Sequence, residues 1–201
     1  GIFTPTEGAG VGACGTFLIA ITKGGMRWDG FVDAILSTGS TTAMIFLILI
    51  GAAIFNAFLG FSELPLLAAD FFQNSGLSPF TVLLGMIALY IMLGFVMDSL
   101  SMILLTVPIF WPIIAGLDFG LGPDDTKLWF GIISLIVVEM GLITPPVGLN
   151  VFVINSMAKD VPMIETFKGV VPFIVSDFIR VAIIIAFPTI TLILPKLLAI
   201  E

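Results

Sequence analysis

Residues Gly141–Asn150 read GLITPPVGLN and interrupt an apolar run that extends from Leu128 to Ala158. As one helix those 31 residues would measure about 46 Å, too long for a simple crossing of a hydrocarbon core about 30 Å thick. Proline has no amide hydrogen, so Pro145 and Pro146 remove the helical donors of the carbonyls four residues earlier, on Gly141 and Leu142. Thr144 precedes a proline and is pushed out of the helical region, and its side chain suits the cap of a new helix with Pro145 at its first position. The stretch therefore predicts a discontinuous transmembrane helix made of two half-helices that meet end to end. Free carbonyls at the first half's C-terminus suit a cation, and free amides at the second half's N-terminus suit a carboxylate. Unpaired backbone groups cannot face lipid, so the break is buried in protein or lines a wet cavity. A packing kink filled by neighbouring helices, without a ligand, is the competing reading.

Composition supports a membrane setting. The chain has 201 residues, of which 59% are hydrophobic, with 7 basic and 14 acidic side chains and a mean hydropathy of +1.22. A soluble surface needs far more charge. Several long uncharged stretches make the chain polytopic, and the first lacks the basic front of a signal peptide. The net charge of −7 falls mostly between apolar runs. With one cysteine, Cys14, and no histidine, internal disulfides, His-based triads and zinc-protease motifs are excluded. The chain opens at Gly1 inside a Gly-rich segment, which leads us to expect that it is part of a longer protein.

Outward from the break, Gly8–Thr22 is a first apolar segment, followed by a loop with Lys23 and Arg27. WDGFVDAILS (Trp28–Ser37) has the pattern of an interfacial helix, and Thr41–Gly60 that of a transmembrane helix with Asn56 as its strongly polar member. Ser62–Gln73 is a short amphipathic piece. Pro79–Gly116 contains two apolar arms around the polar tip DSLS (Asp98–Ser101), and Pro108 and Pro112 in the second arm disfavour a full crossing, so a re-entrant helical hairpin is expected. A loop carrying Lys159 and Lys168 precedes a final span, Val170–Pro195. Placing the basic loops in the cytoplasm leaves Glu63, Asp70, Asp118, Asp124 and Asp125 outside, a layout that two full spans in place of the hairpin would satisfy equally. Asp177 and Arg180, three apart on the last span, are expected to pair or snorkel rather than to line an ion path.

The hairpin tip GFVMDSLSM (Gly94–Met102) sets Asp98, Ser99 and Ser101 between apolar arms. An intramembrane carboxylate is costly to bury and is a functional candidate, unless the tip simply reaches water. Three stretches carry a resemblance: TPTEGAGVGA (Thr4–Ala13), LGFVMDSLSMILLTVPIFWPI (Leu93–Ile113) and GLITPPVGLNVFVINSMA (Gly141–Ala158). In this order they resemble the large membrane subunit of tripartite ATP-independent periplasmic (TRAP) transporters, the DctM-like family.

The resemblance implies an all-α polytopic membrane protein, an elevator-type secondary transporter with inverted repeats, of which residues 1–201 form the second. Within it, 1–60 and 170–195 are expected as scaffold helices and 79–158 as the transport-domain hairpin and broken helix. It further implies sodium-driven import of small organic acids such as C4-dicarboxylates or sialic acid across the bacterial inner membrane. The implied partners are a periplasmic substrate-binding protein and a small four-helix membrane subunit. No enzymatic activity and no cofactor are expected, only sodium as coupling ion. By motif, Gly94, Asp98 and Ser99 of the hairpin and Gly141, Leu142, Thr144, Pro145, Val147, Gly148 and Asn150 of the break form a sodium and substrate site, with Asp98 and Thr144 as sodium ligands. Glu139 departs from the neutral polar residue expected there, as either a proton-titrating group or a solvated or paired acid. An organic-anion carrier that needs no binding protein, and a non-transporting membrane scaffold, are the alternatives. An intramembrane aspartyl protease needs two facing aspartates, and Asp98 and Asp177 have no such context. The partial echo of GLITPPVG in GIFTPTEG, Gly1–Gly8, is read as coincidence.

Overall fold

The computed structural model describes residues 4–157 and 161–198. The described residues are helical, in two compact units, Gly1–Leu49 and Ile50–Glu201. In the first unit, Thr4 and Glu7 form a capping box ahead of Pro5: Glu7 N–H donates to Thr4 Oγ1 at 3.3 Å and Thr4 N–H to Glu7 Oε2 at 2.7 Å. Helix α1 (Pro5–Thr22) follows, and Phe17 stacks obliquely on Phe31, ring centres 5.4 Å apart, across an apolar groove.

Helix α2 (Trp28–Ser62) is continuous over 35 residues, about 52 Å. This corrects the expected division into an interfacial helix and a separate span. The junction Ser37–Thr41 holds no proline, and Thr38 Oγ1 donates to the Ala34 carbonyl at 2.7 Å, so nothing interrupts the backbone ladder.

In the second unit α2 ends at Ser62, where Glu63 adopts a left-handed conformation (φ 54°). Helix α3 (Leu64–Asn74) then packs along the second hairpin arm, and the side chain of Gln73 fills the space that a β-carbon on Gly116 would need. The arms are α4 (Pro79–Leu93) and α5 (Ser99–Ala115). At 15 and 17 residues they reach about 22 and 26 Å, short of a membrane core. Both rest on α6 (Pro123–Ile143), the most deeply buried helix, whose Trp129, Ile133, Val137, Val138 and Met140 are almost wholly enclosed. Asp124 and Asp125 belong to its first turn, not to a loop, where the helix dipole favours them.

Among the described residues, three helices are long and apolar enough to cross a membrane: α2, α6 and α8 (Met163–Ala186). The protein is an all-α, multi-pass membrane protein. Helix α8 starts earlier than the expected span and takes in Lys168, which pairs with Glu165 at 2.7 Å; Lys159 lies outside the described residues. Of the two readings of Arg180 and Asp177, the structure shows the pair, at 2.9 Å. Pro188 forces Phe187 out of the helix, so the last segment is not one span but α8 and α9 (Thr189–Leu198). Lys196 of α9 reaches Asp125 at 2.6 Å.

Proline also explains two long-range hydrogen bonds. Pro188 deprives the Ile184 carbonyl of its helical donor, and Trp129 Nε1 of α6 supplies one at 2.9 Å. Pro108 does the same to Leu104, and Asn56 Nδ2 of α2 approaches that oxygen at 3.5 Å, the outer limit of a hydrogen bond. Trp129→Phe should therefore lower stability by about 1–3 kcal/mol, the penalty for orphaning a buried carbonyl. Thermal unfolding of the full-length protein in detergent checks this; Leu135→Val on the exposed face of α6 should leave the midpoint in place.

Candidate functional site

The hairpin tip and the helix break meet through two glycines. Gly94 closes α4, Gly141 lies near the end of α6, and both are buried. A β-carbon on Gly94 would sit 2.7 Å from both Cα and C of Gly141; one on Gly141 would sit 3.1 Å from Gly94 Cα and 3.2 Å from Tyr90 O. At Gly94 no side chain fits unless the backbone shifts, and at Gly141 even a lone β-carbon would press on backbone that has to give way. The C-terminal ends of two helices are thereby pressed together, backbone to backbone.

Several carbonyls at this seam have no hydrogen-bond donor among the described residues: Ile91 at the end of α4, and Leu142 and Ile143 at the end of α6. The expectation for Gly141 is corrected, because Thr144 N–H bends back to its carbonyl at 3.3 Å. The assignment of Thr144 is corrected too. It ends α6, and its Oγ1 donates to the Met140 carbonyl at 2.6 Å instead of capping a following helix. Having given its hydrogen inward, that oxygen keeps its lone pairs as acceptors.

The next helix, α7 (Leu149–Met157), begins four residues later than the double proline implied. Residues 144–148 are the break, with Pro145 and Pro146 exposed, joined by a cis peptide, and Val147 partly buried. Gly148 turns the chain at φ 57°, a conformation that disfavours any β-carbon, and its carbonyl accepts Phe152 N–H at 3.0 Å. Asn150 is exposed in the first turn of α7.

Asp98 caps α5. Its Oδ1 accepts Ser101 N–H at 3.0 Å and its Oδ2 accepts the Ser101 hydroxyl at 2.5 Å. The carboxylate is exposed, Ser99 beside it is half-buried, and no hydrogen bond joins Asp98 to Thr144. The tip and the break adjoin through Gly94 and Gly141 instead, residues that contribute only backbone. Glu139 lies on the exposed face of α6 with Leu135, without an ion pair among the described residues. The echo between Thr4-Pro5 and Thr144-Pro145 carries no structural parallel, since one pair starts a helix and the other ends one.

Sequence reasoning missed the glycine seam. Its signal was present in Gly94 and Gly141 themselves, but a lone glycine at a helix end reads as a cap until its neighbour across the seam is known.

The family model for the tripartite ATP-independent periplasmic transporter DctM component matches residues 1–190. The sialic acid TRAP transporter large permease protein SiaM of Vibrio cholerae is 32% identical, over 98% of this chain and 45% of its own length. The C4-dicarboxylate TRAP transporter large permease protein DctM of Pseudomonas aeruginosa is 32% identical, over 98% and 44%. Its namesake from Rhodobacter capsulatus is 29% identical, over 98% and 44%. The chain thus spans less than half the length of these relatives.

Gly94→Ala should part the seam, because its new methyl meets backbone that cannot step aside. In a full-length Cys14→Ser background, a cysteine at Leu142 should label slowly with a maleimide and markedly faster once Gly94→Ala is added. Gly85→Ala, on the same helix but with open space around it, should have no effect.

Proposed function

The chain belongs to the DctM component family of tripartite ATP-independent periplasmic transporters, and on that premise we propose that it forms part of the membrane subunit of a sodium-coupled importer of small organic acids. The observation that carries the reading is the glycine seam, which brings together two helix C-termini and their free carbonyls at Ile91, Leu142 and Ile143. Oxygen ligands at the negative ends of helix dipoles are the donor set that a hard monovalent cation takes. Asp98 at the tip and the free lone pairs of Thr144 complete that set in this proposal. The substrate carboxylate is assigned to the N-terminus of α7, beside Val147, Gly148 and Asn150, where amides face the break.

The proposal extends to the whole assembly. C4-dicarboxylate or sialic-acid-like substrates, delivered by a periplasmic binding protein, would enter through the bacterial inner membrane, with a small four-helix subunit alongside. This chain would supply one repeat of two, with 79–158 as the moving part and 1–60 and 170–195 as scaffold. The hydrogen bond between Trp129 and Ile184 crosses the boundary between α6 and α8, so in this scheme α8 either travels with the hairpin or releases that bond.

Asp98→Asn tests the ion site without removing the helix cap, since asparagine caps as well as aspartate. In full-length protein reconstituted with its partner subunit and binding protein, sodium-driven uptake should fall about tenfold or more, the effect of about 1.4 kcal/mol in ion binding. Undiminished uptake at limiting sodium would overturn the assignment. Uptake that persists without the binding protein would point to an anion carrier of the same architecture.

A further inference from the structure

One turn before the seam, a second polar layer lies wholly inside the core. Tyr90 of α4 is 1% exposed, and its hydroxyl is 2.9 Å from Thr106 Oγ1 of α5. Thr106 Oγ1 also lies 2.7 Å from the Met102 carbonyl. A threonine hydroxyl has one hydrogen, so both contacts are hydrogen bonds only if Tyr90 donates to Thr106 and Thr106 donates to Met102. The Tyr90 ring is held edge-on to Phe110, ring centres 5.0 Å apart. Ser134 of α6, also buried, has a hydroxyl without a hydrogen-bond partner among the described residues. Helices α4 and α5 therefore share a hydroxyl pair inside an apolar core, and α6 adds a further buried hydroxyl.

Tyr90 reaches the seam through its backbone as well. Its carbonyl accepts Gly94 N–H at 2.9 Å and is the oxygen that a β-carbon on Gly141 would approach to 3.2 Å. The side chain of Tyr90 thus ties α4 to α5, and its main chain sets where α4 ends against α6. Register matters at this point. A slip of one α6 turn would present Val137 or Val138 to Gly94, where the clearances around Gly141 already crowd a lone β-carbon and a branched side chain is bulkier still.

We propose that Tyr90, acting through Thr106, is a positioning residue that fixes the register in which Gly94 meets Gly141, and with it the spacing of the free carbonyls. The proposal rests on the sodium-coupled reading of that seam. Tyr90 touches neither ion nor substrate; it holds the frame on which their ligands are mounted.

The test uses full-length protein with its partners in vesicles. Tyr90→Phe should raise the sodium concentration for half-maximal uptake about fivefold, the size of one buried hydrogen bond, while leaving the maximal rate within about twofold of the parent. Thr106→Val should shift sodium dependence in the same direction and Thr106→Ser should restore it. The double variant Tyr90→Phe/Thr106→Val should be no worse than the larger single effect, because one bond is lost only once. An unmoved sodium constant in Tyr90→Phe, with sodium-dependent parent uptake, would overturn the positioning role. So would a fall in maximal rate and protein amount at a constant sodium dependence. Maleimide labelling of Leu142→Cys separates this from failure of the coupling reading. Faster labelling in Tyr90→Phe, together with sodium-independent parent uptake, would uphold the register role and reject sodium coupling.

Discussion

A carbonyl that loses its helical donor to a proline must find another partner or meet something that wants an oxygen, and much of this structure follows from that requirement. The indole of Trp129 takes up Ile184, and the amide of Asn56 approaches Leu104. Those two bonds lace α6 to α8 and α2 to the hairpin. At Pro145 and Pro146 the outcome differs. Thr144 N–H recovers Gly141, but Leu142 and Ile143 stay open. The same rule that stitches the core elsewhere leaves a pair of bare oxygens at the end of its most buried helix.

Those oxygens gain meaning from what is pressed against them. A helix end in a packed core normally keeps its neighbours at side-chain distance, 8–10 Å between axes. Gly94 and Gly141 remove both side chains, so two main chains come into van der Waals contact. Such closeness tolerates no slip along the helix, which is why a hydroxyl layer one turn away has leverage on the seam. Apolar packing by Leu83, Met86 and Ile87 of α4 is comparatively indifferent to small axial shifts, whereas a hydrogen bond between Tyr90 and Thr106 is directional.

The helix break was legible from two prolines, and the hairpin from a polar tip between short apolar arms, because both depend on local chemistry. What remained hidden was decided at a distance. Nothing in the sequence of Trp28–Ser62 fixes whether a polar Ser-Thr-Gly stretch ends a helix, and the backbone ladder simply continued. Thr144 had the composition of a cap, but its hydroxyl found the Met140 carbonyl behind it before any amide ahead. The position of Asp98 at the tip was readable; that its carboxylate would turn onto Ser101 was not, since this depends on how α5 starts. The seam required knowing that residues 94 and 141, forty-seven apart, are neighbours.

Four helix ends, those of α4, α5, α6 and α7, carry the electrostatics of the site. An unpaired helix terminus carries roughly half a charge, negative at the C-terminus and positive at the N-terminus. Helices α4 and α6 bring two negative ends to the seam, and α5 and α7 start with positive ends just beyond it. The carboxylate of Asp98 is already spent on the α5 end, whose positive partial charge it more than cancels. What is left is a negative region built from α4, α6 and Asp98, next to an α7 N-terminus whose own first turn carries no acidic residue. Two like helix ends in contact repel, so in the proposed function a cation would stabilise the seam and an anion would stabilise the N-terminus of α7. Under the symport proposed above, a site with that polarity would favour a cation and a carboxylate together over either one alone.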